Sequence, residues 1–180
     1  MKQFLLEFPR KRAALIHGPA GTGKTSLAIA AANENHVELF ELNASDLRNR
    51  AKLEEVLKPA TLQQSLFKKS KILLMDEVDG VTGTDIGGIP ELIRILEETK
   101  YPIIMTCNDV WQSKLAQLRP RCKLIEMKAL PLRAITEIVQ RVALQEGIHR
   151  DTHFFQQLAI KSQGDLRAAL NDLQSYAHRD

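Results

Sequence analysis

The stretch Gly18-Pro19-Ala20-Gly21-Thr22-Gly23-Lys24-Thr25 decides the fold of this 180-residue chain. It fits the pattern G-x-x-x-x-G-K-[ST] and stands between a short apolar run and an Ala-rich segment, the strand–loop–helix setting of a phosphate-binding loop. The glycines let backbone N–H groups surround phosphates, and the start of the following helix adds partial positive charge. The stretch up to Ser26 therefore predicts a site for ATP or ADP with Mg²⁺, in which Lys24 reaches the β- and γ-phosphates and Thr25 binds the metal. A glycine-rich turn without a ligand is the alternative.

An acidic pair ends a later apolar run. Asp76 and Glu77 directly follow Lys71-Ile72-Leu73-Leu74-Met75. We expect Asp76 to hold Mg²⁺, usually through water, and Glu77 to polarise the attacking water as a general base. The glutamate favours ATP hydrolysis over small-molecule phosphoryl transfer, because a kinase needs no water-activating carboxylate here. Taken alone, the pair is also consistent with a solvated loop.

Apolar runs alternate with helical patterns in the first part of the chain. The runs are short, lack strict alternation and are bounded by turn residues, which is typical of parallel strands buried on both faces. They predict strands at Ala13–His17, Val37–Glu41, Ile72–Met75, Pro102–Cys107 and Cys122–Met127, and helices at Thr25–Asn33, Asp46–Leu57 and Ile89–Glu98. Residues 1–129 are therefore predicted to form an α/β nucleotide-binding domain. Residues 130–180 are predicted to form a small helical domain with helices at Leu132–Glu146, at Asp151–Ser162 and from Asp165.

Composition excludes several classes of protein. No run of 18 apolar residues exists, so no segment is predicted to span a membrane. Two cysteines, Cys107 and Cys122, are too few for a disulfide framework or a metal site, and their places at the ends of apolar runs predict buried thiols in a reducing cytoplasm. The net charge of +3, from 25 basic and 22 acidic residues, is spread evenly and permits a polyanionic partner without requiring one.

Asn108 follows the fourth predicted strand. If that strand lies between the strand of the phosphate loop and the acidic strand, Asn108 points between Lys24 and Glu77. It could then orient the attacking water and respond to the γ-phosphate. A loop cap made by Asn108 or Asp109 is the alternative.

Two arginine positions are candidates for contact with a phosphate. Arg167 falls in the first turn of the last helix, where a cation is unfavourable by about 0.3–1 kcal/mol. A phosphate held by the other domain could compensate, which would make Arg167 a sensor of the nucleotide; an exposed arginine paired with Asp165 or Asp172 is the alternative. Arg119 and Arg121 precede the fifth strand and could reach the nucleotide of a neighbouring subunit, although solvated surface arginines are an equal interpretation.

These motifs occur in the order found in AAA+ ATPases, and further segments resemble the replication factor C, or clamp loader, family, most of all its large subunit. Glu41-Leu42-Asn43-Ala44-Ser45-Asp46 resembles the E-L-N-A-S-D box of that family. Arg119–Cys122 looks like its S-R-C motif with Pro120 in place of serine, and residues 164–174 are similar to its sensor-2 helix. The segments 76–80 and 87–92 look most like the large subunit.

The resemblance implies a fold and a site. The fold would be a P-loop AAA+ module with a five-stranded parallel sheet in the order 5-1-4-3-2, followed by a three-helix lid. That order would place Asn108 between the two nucleotide motifs. Lys24, Glu77, Asn108 and Arg167 would form the catalytic set, Arg121 would be a candidate arginine finger acting in trans, and turnover by the isolated chain would be weak.

The resemblance also implies partners. The chain would join clamp loader small subunits in a hetero-pentamer that opens a sliding clamp on primer–template DNA when ATP binds and releases it after hydrolysis. The clamp would meet the region of the Ile89–Glu98 helix, and Arg48, Thr82 and Thr84 are candidate DNA contacts. The location would be the cytoplasm, at the nucleoid, or the nucleus in a eukaryote. A complete subunit would have more chain at both ends.

Three other functions remain open. An AAA+ motor or initiator on DNA, such as a branch-migration helicase, shares the general motifs but not the E-L-N-A-S-D box. A nucleotide-binding clamp loader scaffold with little hydrolysis would use ATP mainly for assembly. A small-molecule kinase is disfavoured by Glu77 and Arg167.

Overall fold

The computed structural model describes residues 2–8, 12–42, 71–80 and 88–177. Three predictions lie outside these residues: the helix at 46–57, most of the E-L-N-A-S-D box, and the candidate DNA contacts Arg48, Thr82 and Thr84. The other predicted strands and helices fall within the described segments.

Five parallel strands form one sheet. They are β1 (Ala13–His17), β2 (Glu38–Leu42), β3 (Lys71–Met75), β4 (Ile103–Cys107) and β5 (Cys122–Glu126). Their order across the sheet is β2-β3-β4-β1-β5, with every neighbouring pair parallel. Read from the other edge, this is 5-1-4-3-2, so the expected order is confirmed.

The distribution of apolar residues explains which strands lie inside the sheet. Every residue of β3 and β4 is buried, as are the first four residues of β1. The edge strands β2 and β5 carry exposed positions, among them Glu38 and Glu126, where charge is tolerated and discourages pairing with another chain. The edge strands thus carry the exposed charges, whereas the charged residue buried in the inner strand β3, Lys71, forms an ion pair with Glu38 at 3.9 Å.

In the described part of residues 1–126, three α-helices accompany the strands: α1 (Lys2–Glu7), α2 (Lys24–Glu34) and α3 (Gly88–Glu98). Helix α1 could not be predicted, because six residues are too few to show a helical period; its Phe4 is nonetheless fully buried. In α3, Leu92, Ile95 and Leu96 enter the core formed with the sheet. These apolar side chains therefore stabilise the fold.

The C-terminal helices are α4 (Leu132–Gln145), α5 (Thr152–Ser162) and α6 (Leu166–Ala177). Gly147 follows α4 with φ +71°, as expected for a helix-terminating glycine. Asp151 caps α5, because its carboxylate accepts a hydrogen bond from the backbone N–H of Phe154 at 2.8 Å. The three helices enclose a core of their own, made by Ile135, Val139, Ala143, Phe155, Leu158, Ala159, Ala169 and Leu173.

The chain divides into two compact units. One comprises Met1–His17 with Lys24–Glu126, and the other comprises Gly18–Gly23 with Met127–Asp180. The first six residues of the phosphate loop thus group with the helical unit, while Lys24 and Thr25 group with the sheet. The predicted boundary between residues 129 and 130, and the role of the helices as a lid, stay predictions. Among the helices described, none has the length and apolar character needed to cross a membrane.

Candidate nucleotide site

Residues that follow β1, β3 and β4 meet at one edge of the sheet. Because β4 lies between β1 and β3, the parallel register brings the carboxyl ends of these strands side by side: His17 stands opposite Cys107, and Met75 opposite Met105. Ligands of open α/β sheets bind at this edge. We call Lys24, Thr25, Asp76, Glu77, Thr106 and Asn108 the strand-end cluster.

The Lys24 ammonium donates a hydrogen bond to the Asn108 side-chain oxygen at 2.8 Å. Lys24 is largely buried, whereas Asn108 is exposed. The contact proposed from the strand order is therefore present. Loop capping, the alternative for this position, is performed by Asp109, whose carboxylate accepts a hydrogen bond from the backbone N–H of Trp111 at 2.8 Å.

The two predicted metal ligands lie against each other. The Thr25 hydroxyl donates to the Asp76 carboxylate, with distances of 2.9 Å and 3.0 Å to its two oxygens. A hydroxyl and a carboxylate are oxygen ligands of the kind that Mg²⁺ prefers, and Mg²⁺ in nucleotide sites takes only one or two protein ligands beside water and phosphate. The donor set fits the expected metal.

Glu77 has an unusual backbone conformation, with φ +52°. A residue with a bulky side chain rarely adopts the left-handed region, and such residues occur often at functional sites. Its backbone N–H donates to the Thr106 hydroxyl at 3.0 Å, and its side chain is exposed. The carboxylate can therefore meet a water molecule.

The phosphate loop is shaped by glycines. Gly18 and Gly21 have φ +148° and +66°, and a Cβ atom on Gly18 would lie 1.9 Å from the Met127 carbonyl oxygen. A Cβ on Gly21 would lie 1.6 Å from an oxygen of the Asp165 carboxylate.

Within the loop, the Thr22 hydroxyl donates to the Pro19 carbonyl at 2.9 Å, whereas Pro19 and Ala20 are themselves exposed. Ser26, in the first turn of α2, is exposed as well.

Arg167 lies exposed in the first turn of α6. In the described part of the chain, neither Asp165 nor Asp172 forms an ion pair with Arg167. Asp172 forms an ion pair with Lys161 at 2.8 Å, and this hydrogen-bonded carboxylate raises the pKa of Lys161. Asp165 caps the helix by accepting from the backbone N–H of Ala168 at 2.9 Å. The action of Arg167 on a nucleotide stays a prediction.

The two arginines before β5 have different environments. Arg119 donates to the carbonyl oxygens of Val110 and Gln112, and its guanidinium stacks over the Trp111 ring at 5.2 Å from the ring centroid. Arg121 is exposed; it donates to the Gln117 carbonyl at 2.8 Å and approaches Glu97 at 3.7 Å. Both arginines thus contact carbonyl oxygens of their own loop, and the exposed Arg121 stays the candidate finger predicted from the sequence.

Sequence reasoning missed two residues that organise the cluster. The buried Thr106 hydroxyl donates to the Asp76 carboxylate and accepts from the Glu77 N–H. The Asp79 carboxylate accepts from the Asn108 N–H at 2.8 Å, and its carbonyl accepts from Lys114. A lone hydroxyl in an apolar run, and a third carboxylate after β3, were the available signals.

Comparisons with known proteins bear on the whole chain. The family described as "ATPase family associated with various cellular activities (AAA)" matches residues 14–129. This chain is 44% identical to the replication factor C large subunit of Staphylothermus marinus over 98% of its own length. It is 43% identical to the replication factor C large subunit of Aeropyrum pernix over 94% of its own length. This chain spans 42% and 36% of the length of those two relatives. The resemblance inferred from the motifs is therefore confirmed.

A solved structure shares the fold. The RuvB Holliday junction branch migration motor of Thermotoga maritima superimposes with a TM-score of 0.72 over 96% of this chain and 59% of its own length. Its sequence is only 20% identical, so the likeness shows the fold alone.

Proposed function

Because this chain belongs to the AAA family of ATPases, we propose that it is the ATPase module of a DNA clamp loader, similar to a replication factor C large subunit. The observation that carries the proposal is the strand-end cluster, in which Lys24 contacts Asn108 and Thr25 contacts Asp76. Similarity to replication factor C large subunits over nearly the whole chain supports the finer assignment.

Binding begins at the phosphate loop. Backbone N–H groups of Gly18 and of residues 20–23 would surround the phosphates of ATP or ADP, whereas Pro19 has no N–H to donate. Lys24 would pair with the β- and γ-phosphates. An ammonium group has three donors, so Lys24 can hold the Asn108 oxygen and a phosphate oxygen at once. Asn108 would then follow the position of the lysine as the nucleotide changes.

Hydrolysis would take place at the acidic end of β3. Mg²⁺, when bound, supplies positive charge that offsets charge on the phosphates. Thr25 and Asp76 would hold the ion, and the exposed Glu77 carboxylate would accept a proton from the attacking water while Asn108 orients it. Arg167 would respond to the γ-phosphate, and Arg121 would act on the nucleotide of a neighbouring subunit.

Assembly would turn this chemistry into clamp loading. We propose that the chain joins small subunits of the same family, that ATP binding lets the assembly open a sliding clamp and hold primer–template DNA, and that hydrolysis releases the clamp. Residues 130–180 would act as the lid. DNA contacts from Arg48, Thr82 and Thr84 would be made to phosphates and would carry little sequence preference.

The test replaces Glu77 with glutamine. We expect Glu77→Gln to keep ATP affinity and to lower turnover by about 10²- to 10⁴-fold, because the phosphate contacts remain while the proton acceptor is lost. Turnover is measured in an assembly whose small subunits carry alanine in place of their own phosphate-loop lysines, so that only this site hydrolyses ATP. ATP affinity is measured by calorimetry on the chain alone.

Lys24→Ala is the matched control, and it should weaken ATP binding itself. Undiminished turnover by Glu77→Gln would refute the role of the base, and normal affinity of Lys24→Ala would refute the phosphate loop. Tight binding with no turnover even in the unaltered chain would favour the scaffold. Stimulation by clamp together with primer–template DNA supports the clamp loader, whereas stimulation by DNA alone contradicts it.

A further inference from the structure

Thr106 is a hydroxyl side chain in a strand that is otherwise apolar. Strand β4 reads Ile103-Ile104-Met105-Thr106-Cys107, and every one of these residues is buried. Thr106 is 0% exposed. Burying a hydroxyl costs free energy unless it is hydrogen-bonded, and valine would fill the same space without that cost. The hydroxyl therefore needs an explanation beyond packing.

The hydroxyl connects β4 to two consecutive residues at the end of β3. Its oxygen accepts a hydrogen bond from the Glu77 backbone N–H at 3.0 Å, and its proton is donated to the Asp76 carboxylate. That carboxylate also accepts from Thr25. Donor and acceptor functions of one side chain are thus both used on the predicted acidic pair.

Glu77 needs such support, because its φ of +52° lies in the left-handed region. A glutamate stays in this region only when its surroundings hold it there. The hydrogen bond from its N–H to Thr106 fixes the peptide that joins Asp76 to Glu77. The direction of the Glu77 side chain depends on that peptide.

We propose that Thr106 is a positioning residue for hydrolysis, which sets the direction of Glu77 and the orientation of the Asp76 carboxylate. The inference rests on the proposed function, because it gives Thr106 a task only if Glu77 activates water. Thr106 touches neither Lys24 nor the phosphate loop in any described contact. Removal of the Thr106 hydroxyl should therefore lower kcat and leave the affinity for ATP nearly unchanged.

The test compares two substitutions. Thr106→Val keeps the shape of the side chain and removes the hydroxyl, whereas Thr106→Ser restores the hydroxyl. We expect Thr106→Val to lower kcat at least about tenfold with KM for ATP changed less than about twofold, and Thr106→Ser to recover most of the loss. Thr106→Val should also need more Mg²⁺ for half-maximal turnover, because the Asp76 carboxylate is no longer oriented.

Thr136→Val is the matched control. Thr136 is also buried, but its hydroxyl donates only to the Leu132 carbonyl within α4. This variant should leave kcat unchanged. The assay is the one described for Glu77→Gln, in which only this site turns over.

The two proposals fail in different ways. If Glu77→Gln turns over normally, Glu77 is not the general base, and the hydrolytic step of the proposed function is wrong. If Glu77→Gln is inactive while Thr106→Val keeps kcat within about twofold of the unaltered chain, only the positioning role is overturned. An equal loss of kcat in Thr106→Val and Thr106→Ser would overturn it as well.

A measurement on the unaltered chain covers the case in which Thr106→Val does not fold. The Glu77 amide proton, although it lies just beyond the end of β3, should be protected from hydrogen exchange by its bond to Thr106. Exchange at the rate of an exposed loop amide would overturn the proposal.

Discussion

At the residue scale, Asn108 shows how the order of strands across the sheet determines a side-chain contact. Its side chain accepts a hydrogen bond from Lys24, and its backbone N–H donates to Asp79. The first contact could be predicted only with the strand order that the family resemblance implied, because that order determines which residues meet after β1 and β4. The second could not, because it depends on the turn at Val78–Gly80, which the sequence pattern did not resolve.

Cys107 provides a prediction about pH at the same scale. Burial, together with the nearby negative charge of Asp79, raises the pKa of the Cys107 thiol to about 12. In the unfolded chain the thiol has its ordinary pKa of 9.0, so between these two values the unfolded state loses a proton that the folded state keeps. The free energy of unfolding should therefore fall as pH rises above 9, by about 1 kcal/mol at one unit above.

The measurement is urea unfolding at pH 8 and pH 10 for the unaltered chain and for Cys107→Ala. Lysines and tyrosines titrate in both proteins, so the difference between the two pH dependences isolates the thiol. Identical pH dependence in the two proteins would show that Cys107 does not have the raised pKa.

At the element scale, the elements with the strongest patterns were predicted best. Apolar runs placed all five strands within a residue or two, because a buried parallel strand is a continuous apolar run. The cap of α5 could be narrowed to Asp151 or Thr152, because an N-cap depends on local sequence, and the structure has Asp151 in that place. Helix α1 and the hydroxyl of Thr106 were missed, since a short helix shows no period and a contact between strands is not encoded locally.

The phosphate loop offers a prediction at this scale. Gly21→Ala puts a Cβ into a left-handed residue and into the space of the Asp165 carboxylate that caps α6. We expect Gly21→Ala to lower the free energy of unfolding by about 1–2 kcal/mol through the backbone conformation. Loss of the helix cap should lower it by about 0.5–2 kcal/mol more, and urea unfolding measures the sum.

Gly147→Ala is the control, since Gly147 has φ +71° but nothing within 4 Å of the position that a Cβ would occupy. Gly147→Ala should lower the free energy of unfolding only by the amount that comes from the backbone conformation. Asp165→Ala, made in the Gly21→Ala background, should add little further destabilisation because the clash is then relieved. If the two substitutions destabilise additively, the contact between Gly21 and Asp165 is not present in solution.

At the scale of the whole molecule, net charge bears on how the proposed clamp loader would hold DNA. The net charge of +3 is small and is spread evenly along the sequence, and binding to DNA phosphates grows with the number of cations brought to them. Under the proposed function, DNA would therefore be bound by the whole assembly, and each subunit would contribute a few contacts to the DNA. The same reasoning applies to catalysis, because under the proposed function the arginine finger would come from a neighbouring subunit.

The last prediction follows from that dependence on neighbours. We expect the isolated chain to bind Mg²⁺ and ATP but to hydrolyse ATP slowly, because no neighbour supplies an arginine to its nucleotide. An arginine finger raises kcat by about 10³- to 10⁵-fold in enzymes that use one. Turnover is measured on the chain alone and after addition of small subunits with inactive phosphate loops. Lys24→Ala with the same subunits gives the background. Turnover by the lone chain as fast as that of the assembly would contradict a finger in trans and the expectation that the isolated chain turns over weakly.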